Sequence, residues 1–145
     1  MPLVRILALD VGQKRIGVAV SDPLGITAQG VGVIARKNIE DDINAVKKFV
    51  DEYGADSIVV GMPINMNGTK GESAKKVAEF VETVSSGLNI PVVTYDERLS
   101  TKESERFLIS SDVSRKKRKG VIDKIAAQLI LESYLERLKN SSQVK

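Results

Sequence analysis

The spacing of apolar and polar positions divides the chain into strand-like and helix-like segments. Continuous apolar runs bounded by polar, glycine or proline residues, such as RILALDVG at 5–12 and SIVVGMP at 57–63, are typical of strands buried on both faces. The runs IGVAVSD, ITAQGVGVI and IPVVTYDE are predicted to be strands as well. Apolar residues at helical spacing predict helices from about Glu40 to Tyr53, from about Ser73 to Leu88 and from about Val121 to Lys139.

The order of these elements predicts a fold. Ser100 and Glu103 form a capping box, which predicts another short helix through about Ile109, followed by a basic loop. Strands separated by helices pair in parallel and place helices on both faces, whereas three strands joined by short turns predict an antiparallel meander. We therefore expect an α/β fold with a five-stranded mixed sheet and helices on both faces, the ribonuclease-H-like plan, in a single domain spanning 1–145.

Composition excludes several kinds of chemistry. The chain has no cysteine and no histidine, which excludes disulfides, thiolate zinc sites, cysteine nucleophiles, serine–histidine triads and imidazole metal ligands. Any catalysis must rest on carboxylates, lysine, tyrosine, backbone groups or a hard metal ion. The N-terminal stretch MPLVRILALDVG carries an arginine within its apolar run, which is typical of neither a signal peptide nor a membrane span. The sequence therefore predicts a soluble, cytoplasmic protein without membrane contacts.

Positive charge is concentrated in one segment. The net charge is +3, but without the five bases of 115–119 the 22 basic residues fall to 17, against 19 acids. We expect this run to form a loop that neutralises phosphates of a nucleic acid, with Gly120 letting it move against the final helix. A solvated loop without a ligand is the alternative. The five bases are Arg115, Lys116, Lys117, Arg118 and Lys119.

Four acids lie at or near predicted buried positions, where an unpaired carboxylate would destabilise the fold. Asp10 ends the first strand, Asp96 and Glu97 end the fifth, and Asp123 lies in the predicted first turn of the last helix. Each has a purely structural explanation: bonds to a turn for Asp10, an ion pair with Arg98 for the adjacent acids, and the helix dipole for Asp123. Taken together, carboxylates at the strand ends favour a hard divalent metal site, where two ions can activate water and stabilise a leaving oxygen.

The ordered motifs LALDVGQKRIGVAVSD, VVGMPINMNGT, TYDERLST and SRKKRKGVIDKIAAQLILESYL resemble the YqgF family, also called RuvX or Holliday-junction-resolvase-like proteins, nearly end to end. The resemblance implies a Mg²⁺- or Mn²⁺-dependent nuclease, a hydrolase acting on phosphodiester bonds of structured nucleic acid. It implies maturation of the 5′ end of pre-16S rRNA in ribosome biogenesis, with resolution of branched DNA as the older proposal. The metal ligands it implies are Asp10, Glu97 (with Asp96 as fallback) and Asp123.

Further residues are candidates for contact with nucleic acid, each with turn geometry, solvent exposure or an ion pair as its alternative. They are Lys14, Arg15, Asn65, Asn67 and Arg98. Relatives in the wider fold often carry an acid at the end of the fourth strand, where this chain reads GMP at 61–63. That difference supports a catalytically weak nucleic-acid-binding adaptor as an alternative. An actin-like phosphotransferase is another, although it would need two such domains. A homodimer would suit a DNA junction, and a monomer would suit RNA trimming.

Overall fold

The computed structural model describes residues 5–62, 71–96 and 115–143, with their side chains except those at 72–73, 96, 115–122 and 140–143. The predicted helix near 100–109 lies outside these ranges. In chain order the elements are β1 (Ile6–Val11), β2 (Arg15–Ser21), β3 (Ala28–Ala35), α1 (Ile39–Tyr53), β4 (Ser57–Met62), α2 (Glu72–Leu88), β5 (Val92–Asp96) and α3 (Arg115–Gln143).

The five strands form one mixed sheet in the order β3-β2-β1-β4-β5. The pairs β1–β2 and β2–β3 are antiparallel, and the pairs β1–β4 and β4–β5 are parallel. The predicted meander and parallel strands are confirmed. Leu9 of β1 pairs with Val60, and Met62 of β4 pairs with Asp96. Because the three parallel strands run together, Asp10, Met62 and Asp96 all lie at the same edge of the sheet.

Helices cover both faces of the sheet, as the pattern predicts. Leu7 and Leu9 of β1 pack in a core that includes Val46 of α1 and Phe80 of α2. Ala8 lies between them in sequence and belongs to a second core with the buried side of α3. The buried α3 residues are Ala127, Ile130, Leu131 and Leu135. Since successive strand side chains point to opposite faces, β1 contributes alternately to the two cores.

Local signals explain where α1 and β3 begin. Asn38 caps α1 by accepting a hydrogen bond from the backbone N–H of Asp41 at 2.9 Å, and Gly54 ends it in the left-handed region at φ 64°. The predicted third strand starts at 26, but β3 starts at Ala28. Asp22 accounts for the difference, because its Oδ1 accepts the N–H groups of residues 26 and 27 and so holds them in a turn.

The basic run is helical, which corrects the prediction of a loop. Helix α3 begins at Arg115 and ends at Gln143, so Gly120 lies inside it and not at a mobile junction. Lysine and arginine are good helix formers, and one interior glycine costs only about 1 kcal/mol relative to alanine. Asp123 therefore lies in the third turn and not in the first. Although α3 has 29 residues, neither it nor any other described helix is apolar enough to cross a membrane.

Candidate active site

Asp10 lies on the face of the sheet that α3 covers. It is two residues beyond Ala8, which packs against α3, and residues two apart in a strand share a face. Its neighbour across the antiparallel pair is Gly17 of β2. The side chain of Asp10 is half-buried, unlike the fully buried residues that precede it. The predicted position at a strand end is therefore confirmed.

Asp123 reaches the same place because α3 lies directly on the sheet. A Cβ atom at Gly17 would collide with the backbone carbonyl of Asp123, and one at Gly30 would lie 3.1 Å from the carbonyl oxygen of Lys124. Two strand glycines thus leave room for the helix backbone itself. The helix contributes a small residue, Ala127, which is completely buried. The sequence indicated the small helix face, but it did not identify the two glycines beneath it.

A bulge in β3 contributes to this close approach. The β2–β3 register shifts between Val18 and Ala19, so that Val18 pairs with Gly32 and Ala19 with Gly30. The side-chain oxygen of Gln128 on α3 accepts a hydrogen bond from the backbone N–H of Gly30 at 3.1 Å. The helix is therefore tied to the sheet by a specific polar bond one turn beyond Asp123 as well as by apolar contacts.

Asp10 and Asp123 are brought together by one shared neighbour. Asp10 is directly opposite Gly17, at the roughly 5 Å Cα separation of an antiparallel pair, and the Asp123 backbone covers Gly17. Both aspartates are on the α3 face, at the carboxyl edge of the parallel strands. The two residues are therefore neighbours of the same glycine, and the prediction that their carboxylates share a metal stays a prediction.

Arg15 forms an ion pair with Asp123. Its Nε donates to Oδ2 at 2.6 Å, and the side chains are 35% and 18% exposed respectively. Arg15 begins β2 and lies two residues before Gly17, so it emerges on the same face. The sequence did not reveal this contact because the two residues are 108 positions apart. The predicted contact of Arg15 with nucleic acid stays a prediction.

The turn that carries Arg15 is held by several bonds. The N–H of Gly12 donates to the carbonyl of Arg15 at 2.8 Å, and the N–H of Arg36 donates to the carbonyl of Lys14 at 2.9 Å. The Arg36 side chain donates to the carbonyl of Gly12 at 2.8 Å and to the nearly buried Asp42 at 3.0 Å. Lys14 is exposed at the tip of this turn. The turn is therefore fixed beside Asp10, with one exposed cation available to solvent.

The fifth strand supplies the neighbouring part of the edge. Tyr95 is buried beneath α3, where its hydroxyl lies 2.6 Å from Ser133 Oγ and its ring meets Tyr134 edge-on at 5.8 Å. The backbone of Asp96 ends the strand beside Met62. Four predicted site residues lie outside the described ranges: Asn65, Asn67, Glu97 and Arg98. The side chains of Asp96 and of 115–119 are also not described.

The described part of the site offers two carboxylates. Within 5–62, 71–96 and 115–143, no group of three or more acidic side chains is placed so that it could hold a metal ion. Asp10 and Asp123 are the two predicted ligands whose side chains are described, and the third predicted ligand lies beyond the described end of β5. One or two carboxylates, completed by water and substrate phosphate, are an ordinary ligand set for Mg²⁺.

Solved structures show the fold class to which the chain belongs. RuvC from Thermus thermophilus, solved with a Holliday junction substrate, aligns with a TM-score of 0.56 and 13% identity over 94% of this chain and 96% of its own. The Fowlpox virus resolvase, solved with Holliday junction DNA, aligns with a TM-score of 0.54 and 16% identity over 93% and 99%. At these identities the likeness concerns the fold alone, and the fold is that of ribonuclease-H-like resolvases.

Sequence comparison identifies the family within that class. The family model described as "RuvX: Holliday junction resolvase" matches residues 4–137. Relatives named "Putative pre-16S rRNA nuclease" are 55% identical in Halothermothrix orenii, over 90% of this chain and 94% of the relative, and 55% identical in Desulforamulus reducens, over 91% and 96%. The chain belongs to the RuvX family. The predicted family is confirmed, and with it membership of a family of nucleases.

Proposed function

We propose that this protein is a divalent-metal-dependent nuclease that hydrolyses phosphodiester bonds in structured RNA and processes the 5′ end of pre-16S rRNA. The observation that carries the proposal is the placement of Asp10 and Asp123 on one face, through Gly17, at the carboxyl edge of the parallel strands. Ligands bind at this edge in α/β sheets. The names of the 55% identical relatives support RNA as the substrate.

The residues present fit a hard divalent cation, Mg²⁺ or Mn²⁺. The chain contains neither cysteine nor histidine, so carboxylate oxygens are its charged donors. Asp10 and Asp123 would hold the metal, which when bound supplies an activated water and stabilises negative charge on the phosphate. Helix α3 would hold the Asp123 carboxylate near Asp10, because its backbone lies directly against Gly17, the residue that pairs with Asp10.

Glu97 is the third proposed ligand, with Asp96 as the fallback. Tyr95 lies on the face that carries Asp10, and a strand returns to the same face every second residue, which supports Glu97. The end of β4, where the sequence reads GMP at 61–63, contributes no acid. The chain would therefore work with three carboxylates from β1, the end of β5 and α3.

Nucleic-acid binding is proposed for the exposed Lys14 and for the bases of 115–119. Because α3 is helical from Arg115, Lys119 lies about 6 Å and Arg115 about 12 Å along the helix axis from Asp123. Charges at this spacing suit the phosphates that flank a bond held at the metal. The undescribed Asn65, Asn67 and Arg98 are proposed to contribute from the ends of β4 and β5.

Resolution of branched DNA is the second candidate function. The description of the family model and the junction-bound structures of the same fold favour it. A symmetric junction is cut by two active sites, so this function would require a homodimer. The two candidate functions are separated by measuring cleavage of two substrates with the same protein preparation. One substrate is a labelled four-way DNA junction, and the other is an RNA with the 5′ precursor extension of 16S rRNA.

The function is tested with Asp10→Asn and Asp123→Asn. Each should lower Mn²⁺-dependent cleavage of the precursor RNA by about a hundredfold or more, while RNA binding is retained. Asp51→Asn changes an exposed aspartate on α1, across the sheet, and serves as the matched control with unchanged cleavage. Unchanged cleavage in both site variants would refute the nuclease, and RNA binding without metal-dependent cleavage in the wild type would support the adaptor.

A further inference from the structure

The ion pair between Arg15 and Asp123 places a fixed cation on a carboxylate that the proposed function assigns to a metal. The recorded bond joins Nε to Oδ2 at 2.6 Å, within the range of a charge-assisted hydrogen bond. The guanidinium comes from a turn held by three hydrogen bonds, and the carboxylate comes from a helix whose backbone packs against the sheet. The fold therefore positions both the guanidinium of Arg15 and the carboxylate of Asp123.

A divalent ion at Asp123 would compete with Arg15, because Oδ2 of the same carboxylate accepts the Arg15 bond. The two cations repel each other, so a bound dication would favour movement of the guanidinium away from Asp123. A phosphodiester of the substrate carries the negative charge that the released guanidinium would bind. The guanidinium also presents five N–H donors in a planar fork that suits phosphate oxygens, and Arg15 is accessible because its side chain is 35% exposed.

We propose that Arg15 is a positioning residue that exchanges partners during the catalytic cycle. In the metal-free protein it holds Asp123 in place and offsets its charge. When the metal binds Asp123, Arg15 leaves the carboxylate and binds a phosphate of the RNA next to the bond to be cut. This inference rests on the proposed function, because it assumes that Asp123 is a metal ligand.

The first consequence is competition between Arg15 and the metal. Calorimetric titration with Mn²⁺ alone, without RNA, should show about threefold to fivefold tighter binding in Arg15→Gln, because a partly exposed ion pair no longer has to be broken. Arg15→Lys keeps the charge at the site, so its Mn²⁺ affinity should stay close to that of the wild type. Melting curves without metal show whether each variant is folded before it is titrated.

Arg5→Gln is the matched control. Arg5 precedes β1 and bonds the carbonyls of Ser21 and Tyr53, and its position is roughly 16 Å along the strand from Asp10. The substitution removes the same charge from a structural arginine at the opposite edge. It should lower thermal stability and leave the Mn²⁺ affinity unchanged. A purely structural Arg15 would behave in the same way.

The second consequence concerns RNA. In Mn²⁺, Arg15→Gln should weaken binding of a fluorescent hairpin RNA about fivefold relative to Arg5→Gln, since one charged phosphate contact is lost. Without metal the two variants should bind alike, because Arg15 is then held by Asp123. Fluorescence anisotropy at 4 °C, with a gel to confirm that the RNA is intact, measures both conditions.

The outcomes separate this inference from the proposed function. If the wild type binds no Mn²⁺ and Asp10→Asn leaves cleavage unchanged, the proposed metal site is wrong, and so is the proposed exchange of partners by Arg15. If the wild type binds Mn²⁺ through Asp10 but Arg15→Gln has unaltered or weaker Mn²⁺ affinity, the exchange is wrong and the nuclease stands. Tighter Mn²⁺ binding in Arg15→Gln together with metal-dependent loss of RNA affinity supports it.

Discussion

Gly17 has no side chain at the point where α3 crosses β2, and the backbone of Asp123 fills the space. Strand glycines usually weaken a sheet, because they contribute no packing and lose much conformational entropy. Here the glycine allows a helix to approach by backbone contact, and that approach carries a carboxylate toward Asp10. Gly17 therefore lowers the stability of β2 but allows Asp123 to lie near Asp10.

Gly17→Ala should therefore be costly in both stability and metal binding. Its Cβ would overlap a backbone carbonyl, which cannot swing aside as a side chain can, so we expect a loss of about 2–3 kcal/mol in the free energy of unfolding. Mn²⁺ affinity should fall as well, because the helix that carries Asp123 is pushed outward. Urea denaturation and calorimetry measure the two effects.

Gly30→Ala provides the comparison at the neighbouring strand. Its Cβ would lie 3.1 Å from the Lys124 carbonyl oxygen, a tight contact that a shift of a few tenths of an ångström relieves. The gain in strand propensity offsets part of that cost, so the change in stability should stay within about 1 kcal/mol. Equal losses in the two variants would contradict the role assigned to Gly17.

The two kinds of site residue differ in how far the sequence reveals them. Asp10 could be predicted because an acid that ends a buried run is conspicuous, and a strand end fixes its location. Asp123 became a candidate through its small, apolar helical neighbours together with the other acids and the family resemblance, although its predicted place in the first turn was wrong. The bond between Arg15 and Asp123 could not be predicted. The two residues are 108 positions apart in the sequence, and they meet only because tertiary packing places the last helix across β2.

At the scale of elements, the turn between β2 and β3 is organised by one carboxylate. Asp22 Oδ1 accepts the N–H of Ile26 at 2.7 Å and the N–H of Thr27 at 3.1 Å, and the backbone of residue 22 bonds Thr27 and Gly25. The N–H of Thr27, followed by that of Ile26, holds the pKa of Asp22 below its usual value. The turn is therefore more stable when this carboxylate is ionised.

This gives the stability a predictable dependence on pH. A pKa lowered by folding contributes stability that is present above the unfolded-state pKa of about 4 and is lost as the pH falls through the folded-state pKa. Asp22→Asn keeps an oxygen acceptor but cannot ionise. The wild type should exceed Asp22→Asn in free energy of unfolding at pH 7, and the difference should shrink below about pH 4. Urea denaturation at several pH values tests this, and a constant difference would contradict it.

Hydrophobic periodicity predicts only the packed part of helix α3 and not its N-terminal extension. The apolar stripe from residue 121 onward marks its packed part, and that part was predicted. The N-terminal extension carries bases without a stripe, so hydrophobic periodicity does not distinguish it from a charged loop. High helix propensity and continuity with a packed helix account for the extension, since propagating an existing helix avoids the cost of nucleation.

At the scale of the whole molecule, charge is distributed unevenly around a nearly neutral body. Removing the five bases of 115–119 from the count leaves 17 bases against 19 acids. These bases belong to the same helix as Asp123, so a single element connects the proposed binding surface with the proposed chemistry. Helix α1 lies on the opposite face of the sheet and carries exposed lysines of its own.

That arrangement predicts a local salt dependence of RNA binding. The double variant Lys116→Gln/Lys117→Gln should bind a hairpin RNA more weakly than the wild type. The slope of log affinity against log salt should become shallower by about 0.7–0.9 for each phosphate contact that is lost. The reason is that fewer counterions are released when fewer phosphates are neutralised. Anisotropy titrations between about 50 and 200 mM salt measure the slope.

The double variant Lys47→Gln/Lys48→Gln is its control, because it removes the same charge from the exposed surface of α1 on the other face. Its affinity should fall only slightly and its slope should remain that of the wild type. Equal effects from both double variants would mean that net charge, and not a surface beside Asp123, attracts the RNA. A selective effect of 116 and 117 would place the bound phosphates along α3, because only the removal of those charges would lower the number of counterions released.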